Sequence, residues 1–544
     1  VKVSPRRAAA VLAAAVLVSH FPLLFAGYVQ DDHVAVEHNT AVAAGDVGSI
    51  LGSGYWDATR GGDRSLWRPV TVSSFAAESA LLSGLRPGVS HAVNLVLHAA
   101  VSWLVFSLAA ACGVDPLVGL LAALVFAVTP SKSEAVANVV GRAELLAAGF
   151  TLGAVRLSSI NRSRAAAWGA AGCVLLAAGS KETGFVAAVL VVLVATSAPR
   201  LFDRLGMIAP SVLAVVVAIV FRTEALEALF PAQSVPVIDN PLVREHGARY
   251  AATALSLVAR YARIVVFPFG LSNDYSGASI PIQGTLTAAG PLAGAVIAAV
   301  LVALAFRGRT TTLFVAIIVL PYLLTGNVLV PAGAIAAERF LYLPVAGLCL
   351  LAAWAVRAPS RPVVAASLAV IGVLSAGMFV RSRDWKDDPT IFAATARNNP
   401  KSPKAPLWLG KFDDAIANWP EFAAAWHEKG VAMAKAGDLP GAERALVSSI
   451  RFEPQRAAPH LALGLVLHRS GRLDEAEREV RKSILIDPDV AQSHAELGHL
   501  RYETGKLDGA ADAYRRAIAL GRTDLAPRLR ELDAKLARGS APPR

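Results

Sequence analysis

Charge is scarce in this sequence. Asp, Glu, Lys and Arg make up 17% of its 544 residues, against 55% hydrophobic ones. That balance excludes a soluble globule, and with it the three or four globular domains that the length alone would suggest at about 150 residues each. Cysteine is nearly absent: Cys112, Cys173 and Cys349 all lie in apolar runs without motif spacing, which excludes a disulfide framework and a zinc site. No small-x-small cleavage site follows the first apolar run, so Lys2, Arg6 and Arg7 flank a retained span entering from the cytoplasm rather than a signal peptide. A net charge of +11 would invite a nucleic-acid reading in a soluble chain. Here the basic residues sit between apolar runs and act as topology signals, and no nucleic-acid partner is expected.

What the chain does have is apolar runs that suit a hydrocarbon core about 30 Å thick. They fall at 8–27, 91–112, 115–130, 139–157, 165–179, 184–198, 205–221, 286–306, 311–330, 338–356 and 361–380, eleven spans in all. The stretch 249–269 is similar in length but carries Arg260 and Arg263 in its middle, and suits an amphipathic surface helix better than a twelfth span. With eleven crossings, Lys2/Arg6/Arg7, Arg156/Arg162/Arg164, Arg200/Arg204, Arg307/Arg309 and Arg357/Arg361 all fall on the cytoplasmic side. An odd count then sends the C-terminal part across the membrane, into the periplasm if the source is a bacterium, whose inner membrane would hold the spans.

After Val380 the chain is Ala-rich, charged and helical in pattern. Gly430, Gly464 and Gly498 recur every 34 residues, as do Ala442, Ala476 and Ala510, and Pro454 and Pro488 close the first two units. This is the period of tetratricopeptide repeats, placed at 423–456, 457–490 and 491–524. Trp426 fills the aromatic slot of the first unit, and His460 and His494 replace it in the next two. Gly410-Lys-Phe-Asp-Asp-Ala415 marks a degenerate unit in a juxtamembrane linker, 381–422, and residues 525–544 supply a capping helix and a frayed end, 540–544. The expectation is an all-α chain: a polytopic helix bundle over 1–380, then an α-solenoid that binds an acceptor protein or peptide.

The charges that remain in the membrane part gather on the side away from the Arg clusters. Asp31-Asp32 follows the first span. One reading is a helix cap; the other is a general base, since a carboxylate near a low-dielectric surface has its pKa raised toward neutrality. Arg68, Arg142, Lys181 and Arg339 come from four separate loops on that side and suit the phosphate of a lipid head group, unless Glu134, Glu144, Glu182 and Glu338 engage them as structural ion pairs. His91, Asn94 and His98 share one helical face, with His91 nearer the outer surface.

These residues resemble the transmembrane and tetratricopeptide repeat-containing proteins, relatives of the protein O-mannosyltransferases with the C-type membrane glycosyltransferase fold. The resemblance rests on Gln30-Asp31-Asp32, Trp67-Arg68-Pro69-Val70, His91-Ala-Val-Asn94-Leu-Val-Leu-His98, Pro130-Ser-Lys-Ser-Glu134-Ala-Val, Gly141-Arg142-Ala-Glu144, Ser180-Lys181-Glu182 and Ala337-Glu338-Arg339-Phe-Leu-Tyr342-Leu-Pro344, followed by the repeats. It implies transfer of a sugar, typically mannose, from a polyprenyl-phosphate donor to a protein hydroxyl outside the cytoplasm. It places the catalytic carboxylate at Asp31 or Asp32. Arg68, Arg142, Lys181 and Arg339 would face the donor phosphate, with His91, Asn94, Lys132, Glu134, Glu182 and Glu338 in support. Where relatives tend to have His-Pro-x-His-x-Glu, this chain has Thr129-Pro130-Ser-Lys132-Ser-Glu134, leaving Lys132 to supply charge. No cofactor is assigned with certainty, and assistance by magnesium or manganese is left open. A phosphate leaving group needs no general acid, so one base and several cations suffice for inverting transfer. The competing expectation is a non-enzymatic membrane scaffold for envelope assembly. A transporter would need midplane charges and matching interrupted helices, and neither is present.

Overall fold

The computed structural model describes residues 3–56, 66–82, 84–160, 163–198, 200–228, 235–356 and 358–539. The expectations for Lys2, Arg162, Arg357 and residues 540–544 lie outside them. The described residues contain helices and no strand. The chain divides into two compact units, Val1–Ser402 and Pro403–Arg544.

In the first unit each of the eleven apolar runs carries a helix, from Pro5–His20 to Arg361–Asp384. Capping helps to set where they begin. Ser4 accepts from the Arg7 amide ahead of Pro5, and Asp115 accepts from the Leu117 amide at 2.8 Å ahead of Pro116, in each case a capping side chain followed by a proline, the pairing that best starts a helix. Among the described residues, five helical segments are long and apolar enough to cross a membrane unaided: Pro5–Phe25, Pro87–Ala111, Leu201–Leu226, Glu338–Ala355 and Arg361–Asp384. Pro116–Val128 and Pro130–Ala137 make a sixth if their 57° bend is one broken span. Glu182–Ala195, Ala289–Ala305 and Arg309–Thr325 are apolar but shorter. These apolar helices make it a membrane protein.

The bend has a local cause. Pro130 pushes Thr129 into extended backbone (ψ 130°), so the helix stops and the chain folds through Pro130–Lys132, Ser133–Ala137 and Val139–Gly141 before helix Arg142–Ile160 begins. A Cβ on Gly141 would lie 2.3 Å from the Ala135 carbonyl oxygen, so this fold-back requires glycine. The stretch 249–269 forms helix Gly247–Val266. It buries Ala252, Thr253, Leu257, Tyr261 and Ile264 at helical spacing, leaves Arg263 exposed, and sets the Arg260 guanidinium 5.0 Å over the Tyr275 ring. Because successive helices reverse direction, the segments around residues 27–33, 130–142, 181–185, 338–341 and 381–388 meet at one end of the bundle.

The second unit is a row of helical hairpins: Ala423–Lys435 with Leu439–Phe452, Ala457–Arg469 with Leu473–Ile486, and Ala491–Glu503 with Leu507–Ala519. The 34-residue glycines let each pair touch, since a Cβ on Gly430, Gly464 or Gly498 would lie 2.7, 2.6 and 2.5 Å from Leu446, Val480 and Tyr514. Helix Ala526–Gly539 packs on the last hairpin, burying Leu532. Lys404–Trp408 and Phe412–Asn418 form a shortened pair before the first repeat.

Candidate functional site

The turn after the first span presents the adjacent aspartates in opposite environments. Asp32 is fully buried. Its Oδ2 accepts from the amides of Val29 and Val139 (both 3.2 Å) and its Oδ1 from that of Val140 (2.8 Å). It thereby closes its own turn and joins it to the start of the Val139–Gly141 turn. Burial pushes the Asp32 carboxyl up to about 7, against the pull of those three amides. Asp31, next to it, is exposed. Gln30, just before, takes a left-handed φ of 52°, rare for a residue with a side chain. His91, fully buried as well, meets the Gly27 carbonyl oxygen at 3.2 Å, holding the turn from the side of helix Pro87–Ala111.

Four cations were expected beside these carboxylates, and the structure brings three of them together. Arg68 forms a two-pronged pair with Glu182 (Nε to Oε1 3.3 Å, Nη2 to Oε2 2.9 Å). Lys181 pairs with Glu144, and Arg339 with Glu134, which also accepts from the Arg339 amide at 3.0 Å. Lys181 lies within electrostatic reach of Arg68 and Arg339, and Arg339 within reach of Asp31 and Glu144. Phe340 lies beneath both Lys181 and Arg339, 5.8 and 5.3 Å from its ring centre. Glu338 faces the other way. Fully buried, it accepts from the Ser272 amide (2.8 Å) and the Tyr275 hydroxyl (3.0 Å), with Arg381 at 3.7 Å.

Two of the expected charges lie elsewhere. Arg142, placed in sequence among the phosphate ligands, has no exposed surface. Its guanidinium is taken up by Glu78 (2.7 Å), Asn94 Oδ1 (2.9 Å) and the Ser90 carbonyl (3.1 Å), over the Phe75 ring. A buried guanidinium needs such saturation. Asn94 completes the knot by donating to the carbonyls of Asn138 and Val139 at 3.3 Å. Lys132, expected to supply charge at the site, turns into the bundle instead. Its amine lies 3.2 Å from His98 Nε2 and 4.6 Å over the Phe126 ring, while His98 Nδ1 meets the Tyr342 hydroxyl at 2.8 Å. The Pro130–Lys132 turn aims that side chain inward. Glu78, Ser90, Asp388 and Tyr55, whose ring lies 5.0 Å from the Arg68 guanidinium, were missed in sequence. Glu78 sits in an ordinary Ala/Ser helix, and only the Asp387-Asp388 pair after the last span, echoing Asp31-Asp32, offered a signal. Among the described residues no group of three His, Cys, Asp or Glu side chains is placed to hold a metal ion.

No family model matches the chain. Among curated proteins it is 27% identical over 434 residues to human protein O-mannosyl-transferase TMTC3, covering 71% of this chain and 47% of that one. It is 27% identical to the Caenorhabditis elegans protein O-mannosyl-transferase F38B6.6 (73% and 58%) and 25% to mouse TMTC4 (71% and 61%). Among solved structures it resembles a tetratricopeptide-repeat protein of Thermus thermophilus (24% identity, TM-score 0.23, 28% of this chain and 93% of that one). A MamA fragment from Desulfovibrio magneticus is similar too (21%, 0.23, 25% and 84%). The chain spans about half the length of the human relative. Over some 70% of its own length, then, the chain is similar to the TMTC-type protein O-mannosyl-transferases.

Proposed function

We propose that the chain is an integral-membrane glycosyltransferase that moves a sugar, mannose in the first instance, from a polyprenyl phosphate to a protein hydroxyl. The observation that carries this reading is the exposed Asp31 carboxylate within electrostatic reach of Arg339, which with Lys181 and Arg68 forms a cation cluster at one end of a membrane bundle. Asp31 takes the proton of the acceptor hydroxyl, the hydroxyl oxygen attacks the anomeric carbon, and the bond from that carbon to the phosphate oxygen breaks with inversion. The phosphate leaves with its electron pair and its developing charge is met by the three cations. Asp32 positions the turn, because its oxygens are already occupied by backbone amides. Arg142 holds the scaffold. The repeats hold the acceptor polypeptide near the site and raise its effective concentration. The domains run as 1–380 for transfer, 381–422 as linker, 423–524 as repeats and 525–544 as cap, with site and repeats outside the cytoplasm and the N-terminus inside.

The second reading is a membrane-anchored scaffold, favoured by one observation: each of the three gathered cations already has a carboxylate partner. Transfer of label from polyprenyl-phosphate-[³H]mannose to protein separates the two. Wild-type membranes should label an acceptor and Asp31→Asn membranes should not, at equal protein level. Labelling by neither with any acceptor would favour the scaffold, whereas equal labelling by both would keep the transfer and overturn Asp31 as its base.

A further inference from the structure

The aspartate turn is held from a direction that the sequence treats as linker. Beyond the last long helix, Asp387 caps helix Asp388–Asn398 by accepting from the Thr390 amide at 3.0 Å. That leaves the neighbouring Asp388 carboxylate to point away from its own helix. Its Oδ1 accepts from the Gln30 amide at 2.8 Å, and its Oδ2 lies 3.4 Å from His33 Nε2. Two residues earlier in the linker, the Lys386 carbonyl accepts from the Gly27 amide at 2.9 Å. Asp388 therefore binds the residues just before and just after Asp31-Asp32. The Gln30 amide that it takes belongs to the residue with φ 52°, a conformation that does not persist in a non-glycine residue unless its surroundings enforce it.

The far end of the same segment grips a second turn. Asn398 donates to the Leu271 carbonyl (2.8 Å), and Asn399 to the Asp274 carbonyl (2.8 Å) and Ser279 Oγ (2.9 Å). The loop they hold supplies the Ser272 amide and Tyr275 hydroxyl that fix Glu338, the residue before Arg339.

We infer that Asp388 is a positioning residue that holds Gln30 in its left-handed conformation and so presents Asp31, and that helix Asp388–Asn398 is a clasp between the carboxylate turn and the Glu338-Arg339 turn. The consequence for catalysis rests on the transfer reading above; the clasp itself does not.

The test uses full-length protein in lipid nanodiscs and reads two things, hydrogen exchange in peptides spanning 27–37 and transfer from polyprenyl-phosphate-[³H]mannose. In Asp388→Ala, exchange in those peptides should quicken about tenfold while peptides of the repeats are unchanged, as expected when a strained turn loses its tether. The kcat should fall about tenfold with the donor KM within about twofold of wild type. Asp388→Asn keeps an acceptor for the Gln30 amide and should retain most protection. Gln30→Gly in the Asp388→Ala background should recover kcat, because glycine takes a positive φ without enforcement. Unchanged exchange at 27–37 in Asp388→Ala overturns the proposal, as does faster exchange with wild-type kcat, or a loss of kcat that Gln30→Gly does not relieve. Exchange that behaves as described in a protein whose wild type transfers no label would support the clasp and overturn the transfer reading instead.

Discussion

Three backbone amides end on the two oxygens of Asp32, so truncating that side chain strands three buried donors at once. An unanswered buried polar group costs about 1–3 kcal/mol. Asp32→Ala is therefore expected to lose about 3 kcal/mol or more, read as a lowered thermal midpoint in detergent, and a midpoint equal to wild type would refute the role. The same residue gives the molecule a pH dependence. The folded carboxyl titrates near 7, against 3.8 for an ordinary aspartate, so as pH rises the unfolded chain releases the proton first. Stability contributed by the protonated form is full below about pH 4 and falls as pH climbs toward 7. Asp32→Asn, which cannot ionise, should lack that decline; parallel midpoint curves from about pH 4 to 7 would count against it. Arg68 and Arg142 should separate under one substitution. Arg142→Gln breaks a sealed pair with Glu78 and should cost about 3–5 kcal/mol of stability. Arg68→Gln, at the edge of solvent, should leave the fold nearly intact and, on the transfer reading proposed above, lower kcat about 100-fold, the usual size of losing one transition-state donor.

Among the elements, the repeats show why two kinds of ring fill one slot. Trp426 Nε1 donates to the Pro420 carbonyl (2.9 Å), and the His460 and His494 ring nitrogens reach those of Pro454 and Pro488 (3.1 and 2.8 Å), each six residues back. A ring N–H, rather than an indole, is what the position requires. His494→Trp should therefore be tolerated, whereas His494→Phe should cost about 1 kcal/mol. Hydrogen exchange over the third hairpin reads the difference, and equal protection in both variants would refute it. This period was plain in the sequence because a 34-residue spacing repeats identical packing problems. The apolar runs were equally legible as helices, since apolar length shows in composition. Their breaks and pairings were not: Glu182 lies 114 residues from Arg68, and Arg339 lies 205 from Glu134, distances that no local spacing encodes. The same reason hid Glu78 and Asp388. Lys132 misled because its position in the Pro130–Lys132 turn is visible in sequence while the direction of its side chain is not.

For the whole molecule, the salient fact is that the cluster at the end of the bundle is already neutralised. Arg68, Lys181 and Arg339 face Glu182, Glu144 and Glu134, with Asp31 as an additional carboxylate. Such a cluster behaves as a loaded ion exchanger. An incoming phosphate gains contact with a guanidinium only by displacing a carboxylate already bound to it, so charge alone gives little net attraction. On the transfer reading proposed above, the energy for that exchange must come from the rest of the donor, above all from its lipid chain. Inorganic phosphate should then be a feeble competitor, and a polyprenyl phosphate without sugar a strong one, when both are titrated against labelled donor. On that reading, a membrane protein wired in this way can sit in a phosphate-rich compartment without filling with the wrong anion.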